Sequence, residues 1–324
     1  MVSRIRKDIR DLSRDEMIDF TSALIELKRQ GKYDKYVQWH HEAMTPSSLP
    51  SEPHDSLYRN LAHRGPAFLP WHRLFVLLLE NELREVRPNL TIPYWDWTQD
   101  SDNPEAARVW QNDCFGGNGD PGNYHLVATG PFAVSNGQWP VPNYPEDGDN
   151  PTGLKRNFGN SASSLPTADD LARAMNRPIY DLPPYTSSNT NLGFRNYLEG
   201  WVTKDGDSQV TTPGTQLHNR VHNWVGGNMI RMTSPDDPVF FVHHCFIDKV
   251  WAQWQAKQAL RAPDGEPYYW PERDGPPGHN FADMLTFGDN APKKISELMS
   301  ISALEYEYAP KQKVPDHQRS NPYL

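Results

Sequence analysis

His218 and His222 stand four residues apart in a helical segment from about Thr215 to Val225, closed by Gly226-Gly227. On a helix that spacing puts both imidazoles on one face, a turn apart, where they can share one ion. His244 follows near the start of the next helical stretch. The first quarter of the chain holds a second group: His40 on one helix, His72 at the head of another and His63 in the loop between. Two triplets of this kind leave few architectures open, because the helices that carry them must pack around a shared centre. A lone histidine is more often a packing or surface residue, and that reading is kept for His54, His125, His279 and His317.

All-imidazole ligation suits zinc, copper, iron or nickel. A di-iron carboxylate bundle needs Glu-x-x-His pairs, and no histidine here has Asp or Glu three residues before it. His41-Glu42 is not followed by the second histidine of a zinc protease motif, since Thr45 occupies that place. Two facing three-histidine sites without bridging carboxylates best suit a copper pair.

The rest of the sequence fits a helical body with long ordered loops. Ser13 and Glu16 form a capping box, followed by Met17, Phe20, Leu24 and Leu27 at helical spacing and stopped by Gly31. Further helices are expected over 33–44, 66–87, 167–175, through 194–201 and over 237–260. Thirty prolines, about twice the usual share, gather mainly outside these stretches. Segment 98–164 has little periodicity, yet carries Phe115, Tyr124, Phe132, Trp139 and Tyr144; it is expected to be an ordered wall or lid near the site. The net charge of −9 argues against a nucleic-acid surface. No run approaches the roughly 20 apolar residues of a membrane helix. Cys114 and Cys245 read as lone thiols. Met1 to Arg10 lacks the apolar core and cleavage site of a signal peptide. A cytoplasmic location is therefore expected, with export alongside a helper protein left open.

His63-Arg64-Gly65-Pro66-Ala67-Phe68-Leu69-Pro70-Trp71-His72-Arg73 resembles the first copper motif of the tyrosinases, and Pro93-Tyr94-Trp95-Asp96-Trp97 follows it as in that family. Leu217-His218-Asn219-Arg220-Val221-His222 and Asp237-Pro238-Val239-Phe240-Phe241-Val242-His243-His244 resemble the second. Tyr306-Glu307-Tyr308 is similar to the tyrosine motif that ends the family's core domain. The resemblance covers roughly 33–97 and 194–257 and is nearest to the bacterial members.

The resemblance implies a mainly α fold: a four-helix bundle around a dinuclear copper site, with long Pro/Gly-rich loops and a little β. It implies a single domain over 1–324, with 98–164 and 263–293 as loop insertions. His40, His63 and His72 would hold one copper, and His218, His222 and His244 the other. Here His41 and His243 are the near-duplicates passed over. Asp248, four residues after His244, would orient a ligand from behind. Asn223, Met232 and His243 would meet substrate. Glu199 and Asn219 match the pair that holds a water able to take the proton of a phenol, whose pKa is near 10 when unperturbed. About ten extra residues before His218 put that match of Glu199 to the test. Leu61 stands where fungal and plant relatives carry a cysteine, so no thioether is expected.

The implied activity is ortho-hydroxylation of monophenols and oxidation of o-diphenols to o-quinones by dioxygen. The alternatives are an o-diphenol or o-aminophenol oxidase without hydroxylation and, more distantly, a haemocyanin-like oxygen carrier. The implied partner is a small phenolic substrate. A copper-delivery helper protein and the oligomeric state are left open.

Overall fold

The computed structural model describes residues 4–45, 60–145, 148–188, 190–202, 215–261 and 269–310. His54, His317, residues 263–268 and most of the extra stretch before His218 lie outside them. Seven α-helices are described: α1 Arg14–Arg29, α2 Asp34–Met44, α3 Phe68–Val86, α4 Ala168–Met175, α5 Phe194–Glu199, α6 Leu217–Val225 and α7 Val239–Arg261.

Each starts and stops for a local reason. Ser13 Oγ accepts the Glu16 N–H at 3.2 Å and Glu16 Oε2 accepts the Ser13 N–H at 2.9 Å, the reciprocal box that opens α1. Gly31, at φ +69°, turns the chain out after it. Thr167 and Asp170 cap α4 in the same way. Pro70 falls in the first turn of α3, where its missing N–H costs no helical bond. From Val239 to Trp251, α7 is buried on every side, as expected of a helix apolar nearly all round. It packs along α3.

Strands are few. β1 (Arg4–Arg6) pairs in parallel with β6 (Tyr306–Tyr308), joining the two ends of the described chain. β2 (Gly119–Asp120) pairs with β3 (Leu126–Val127), and β4 (Met284–Leu285) with β5 (Lys293–Lys294), both antiparallel. β1 places Arg6 in a buried ionic knot. Arg6 Nε donates to Glu80 Oε2 at 2.9 Å and Nη1 to Asp248 Oδ2 at 3.2 Å. Arg73 Nε donates to Asp248 Oδ1 at 2.5 Å, and the hydroxyls of Tyr306 and Tyr308 donate to Oδ2 at 2.6 and 2.5 Å.

Cys114 and Cys245 are buried free thiols, as expected. Segment 98–164 is ordered by short 3-10 turns and by bonds to the α6–α7 link. Arg156 forks onto Asp237 at 2.6 and 2.8 Å, and the Asn157 N–H donates to Val225 O at 3.0 Å. Among the described residues no helix is long and apolar enough to cross a membrane.

Candidate metal centre

Four helices, α2, α3, α6 and α7, bring the histidines together. His40 comes from α2 and His72 from α3. His63 precedes α3, its N–H held at 2.8 Å by Asn60 Oδ1. Their rings lie 4.9–5.9 Å apart, centroid to centroid. The second group is His218 and His222 from α6 with His243 and His244 from α7. The two groups meet where the His72 and His244 rings stack at 4.1 Å.

Backbone carbonyls set the tautomers. His40 Nδ1 lies 2.6 Å from Met232 O, His72 Nδ1 2.8 Å from Phe68 O, and His222 Nδ1 2.7 Å from Met229 O. A carbonyl only accepts, so each Nδ1 carries the proton and each Nε2 keeps its lone pair. His40 Nε2 and His72 Nε2 are buried with no hydrogen-bond partner among the described residues. In the second group the Nε2 atom of His244 lies 3.3 Å from that of His218 and 3.4 Å from that of His222. The Nε2 atoms of His218 and His222 converge on that of His244, where they share either a proton or a cation. The spacing suits nitrogens about 2.0 Å from one ion.

Burial keeps these imidazoles uncharged. It pushes His40 down to about 3 and His222 to about 4, and His63, His72, His218 and His244 well below the usual histidine range. Neutral imidazoles are the form that binds a transition metal.

The other expected residues divide. Asn219 and Asn223 line an open cavity of about 260 Å³ over the histidines, with Arg64, Trp201, Ile230 and Arg231 on its walls. Asn219 Oδ1 lies 2.9 Å from His218 Nδ1. Glu199 is fully buried at the end of α5. Its Oε1 accepts the Arg64 N–H at 2.5 Å and its Oε2 accepts from Arg195 Nη1 at 2.9 Å. Burial raises its pKa, against the pull of Arg195.

Met232 lines a neighbouring groove, joined to the site through its carbonyl. His243 is not at the cavity. It is fully buried, stacked at 5.1 Å on His218, with Nδ1 accepting from Trp97 Nε1 at 3.2 Å. Asp248 does not hold an imidazole: its oxygens are taken by Arg73, Arg6 and the two tail tyrosines. It faces the side of α7 that packs on α3 and β6, and its partner Arg73 is next to His72 in α3. No described residue of 98–164 lines the cavity itself. Residues 140–145 instead wall the neighbouring groove.

Sequence reading missed the supports. Arg195, which holds Glu199, carries no motif. The carbonyls of Met229 and Met232 have no side-chain signal at all. His279, kept as a packing residue, lies under the His63 loop, where its Nδ1 accepts the Ala67 N–H at 3.0 Å. A Cβ on Gly65 would come within 2.6 Å of that ring, so the glycine is required.

The family model for the common central domain of tyrosinase matches residues 30–257, well over half of the chain. This chain belongs to the tyrosinase family. Tyrosinase from Streptomyces antibioticus is 40% identical over 253 residues, covering 78% of this chain and 83% of its own. Grixazone synthase from Streptomyces griseus subsp. griseus is 38% identical over 284 residues, covering 82% and 87%. Among solved structures, a polyphenol oxidase from Thermothelomyces thermophila superposes with a TM-score of 0.65 at 23% identity, covering 94% of this chain and 87% of that one. That likeness concerns the fold. The chain is thus a copper-dependent phenol-oxidising enzyme of the tyrosinase family, which binds two copper ions and uses dioxygen.

Proposed function

We propose that this tyrosinase-family chain hydroxylates monophenols at the ortho position and oxidises o-diphenols to o-quinones. We further propose that His40, His63 and His72 hold one copper, that His218, His222 and His244 hold the other, and that one domain over 1–324 carries the activity. The observation that carries the reading is the set of buried, converging imidazole nitrogens under an open cavity. When bound, the copper pair supplies the binding and activation of dioxygen. The protein's part is to admit a planar ring, orient it and accept a proton. The open cavity, with Asn219 and Asn223 on its wall, admits the ring. A phenol arrives protonated at neutral pH. Asn219, beside His218, and Glu199, whose backbone carbonyl lies 3.3 Å from His218 Nδ1, are proposed to polarise a water that takes that proton.

A second reading, an oxidase of o-diphenols or o-aminophenols without hydroxylation, is favoured by one observation: both Glu199 oxygens are already hydrogen-bonded. Copper-loaded protein assayed side by side on tyrosine, catechol and o-aminophenol separates them. Glu199→Gln and Asn219→Ala are expected to lower tyrosine hydroxylation at least tenfold more than catechol oxidation, within the range typical of supporting residues. An equal fall in both rates would remove Glu199 and Asn219 from the proton step. Turnover of catechol or o-aminophenol with none of tyrosine would establish the second reading.

A further inference from the structure

A ligand ring must be aimed, and His63 is aimed differently from its neighbours. His40, His72 and His222 each have Nδ1 tied to a backbone carbonyl. His63 Nδ1 is buried with no hydrogen-bond partner among the described residues. The His63 ring is therefore placed by its backbone, and that backbone is gripped on both sides. Asn60 Oδ1 accepts the N–H groups of Ala62 and His63 at 3.0 and 2.8 Å. On the other side, the Arg64 N–H donates to Glu199 Oε1 at 2.5 Å. Arg64 sits at φ +61°, in the left-handed region that a residue with a Cβ seldom adopts. Such a conformation persists only where the surroundings hold it.

Glu199 also touches the second group. Its backbone carbonyl lies 3.3 Å from His218 Nδ1. Gly200, at φ +108°, lets the end of α5 press on the head of α6: a Cβ there would come within 2.0 Å of Gln216 O. One residue thus stands between the His63 loop and His218. What aims its carboxylate is Arg195, one turn earlier on α5 and fully buried. Arg195 Nη1 donates to Glu199 Oε2 at 2.9 Å, and Nε donates to Asp181 Oδ2 at 2.8 Å. Nη1 also donates to Asn196 Oδ1 at 3.0 Å, and Nη2 to Thr186 O at 3.2 Å. Asp181 is itself fixed, its Oδ1 accepting from the Leu182 N–H at 2.9 Å and from Asn191 Nδ2 at 2.6 Å. A planar guanidinium gripped at both ends gives the Glu199 carboxylate one direction to face. Tyr180, next to Asp181, donates its hydroxyl to Pro66 O at 2.6 Å, so the same part of the chain meets the His63 loop twice.

We propose that Arg195 is a positioning residue for the metal centre: held by Asp181, it aims Glu199 at the Arg64 N–H and so sets His63 against His218. The inference rests on the ligand assignment proposed above and adds to it what fixes the His63 loop. Arg195 does not line the cavity and takes no part in the proton step.

The test reads the Arg64 amide by hydrogen exchange on the copper-loaded full chain, and copper release to a chelator on the same sample. Arg195→Met keeps most of the length and loses the fork. Its Arg64 amide is expected to exchange about tenfold faster or more, the worth of one bond to a charged group, while the amides of α1 keep their rates. One of the two coppers is expected to leave about 10–100-fold faster, the usual cost of losing a supporting residue, and the other at the parent rate. Arg195→Lys keeps the charge but cannot bridge both carboxylates as a fork does, and should restore part of the protection at Arg64.

An Arg64 amide as protected in Arg195→Met as in the parent chain would overturn the proposal. So would faster exchange spread over α1 with both coppers released alike, the pattern of a general loss of stability. If Arg195→Met does not fold, Arg195→Lys decides: exchange quickened in the His63 loop alone upholds the proposal, and unchanged exchange overturns it. Quickened exchange at Arg64 with both coppers leaving at the parent rate would uphold the Arg195 brace and count against His63 as a ligand alone.

Discussion

A neutral imidazole has one lone pair to offer, and where it points decides its role. His244 points its Nε2 at those of His218 and His222; His243 uses Nδ1 to accept from Trp97. His244→Ala is therefore expected to lose about half of the bound copper and all oxidase activity. His243→Ala should keep both metals with activity down about 10–100-fold, the usual cost of a supporting residue. Metal analysis of the two variants checks this, and the reverse pattern would exchange the two roles. Adjacent residues on a helix differ by about 100° in direction, so helical spacing could not choose within the His243-His244 pair; a motif resemblance could, and both histidines fall in the second group. Asp248 shows the opposite limit. Its position four residues after His244 suggested a ligand-facing carboxylate, but a spacing of four says only that two residues share a face, not which neighbour fills it.

At the scale of elements, Asp248 joins four of them: β1 through Arg6, α3 through Arg73, β6 through its tyrosines, and α7 itself. Burial alone would raise its pKa, but Arg73 and Arg6 hold it below the usual carboxylate range. Asp248→Asn leaves the buried Arg73 guanidinium without its charge partner and Arg6 with Glu80 alone. It is expected to cost about 3–5 kcal/mol, measured as a fall in the midpoint of denaturant unfolding. A loss under 1 kcal/mol would mean that the tail strand does not lock the bundle. The longer helices were legible because they show their period, and most of the seven carry a cap or a Gly or Pro stop. β1 and β6 were not. Three residues are too few to show alternation, and their parallel pairing links opposite ends of the chain, which no local pattern can announce. Segment 98–164 was rightly read as ordered from its aromatics, but aromatics do not say which surface they cover. Its anchor, Arg156 on Asp237, is a long-range contact.

For the molecule as a whole, the groove beside the site carries a built-in stability cost. Burial pushes Asp236 up to about 6, against the hydroxyl of Tyr144, which donates to it at 2.8 Å. The folded chain thus holds this proton more tightly than the unfolded chain, where the carboxyl titrates near 3.9. Below that value both states are protonated and nothing is lost. As pH rises through 4 to 6 the unfolded state ionises first, so stability falls, and the loss persists at neutral pH. Asp236→Asn is expected to raise stability by about 1–3 kcal/mol at pH 8 and to change it little at pH 4. Thermal unfolding at the two pH values is the check, and an equal gain at both would rule out titration as the cause. The central claim concerns the histidines. Copper-loaded protein, freed of loose metal, can be analysed for metal and for catechol turnover on the same sample. Two histidine groups predict two coppers per chain and turnover that disappears with chelation and returns with copper. One copper per chain, or two with no oxidation of any phenol, would contradict the account.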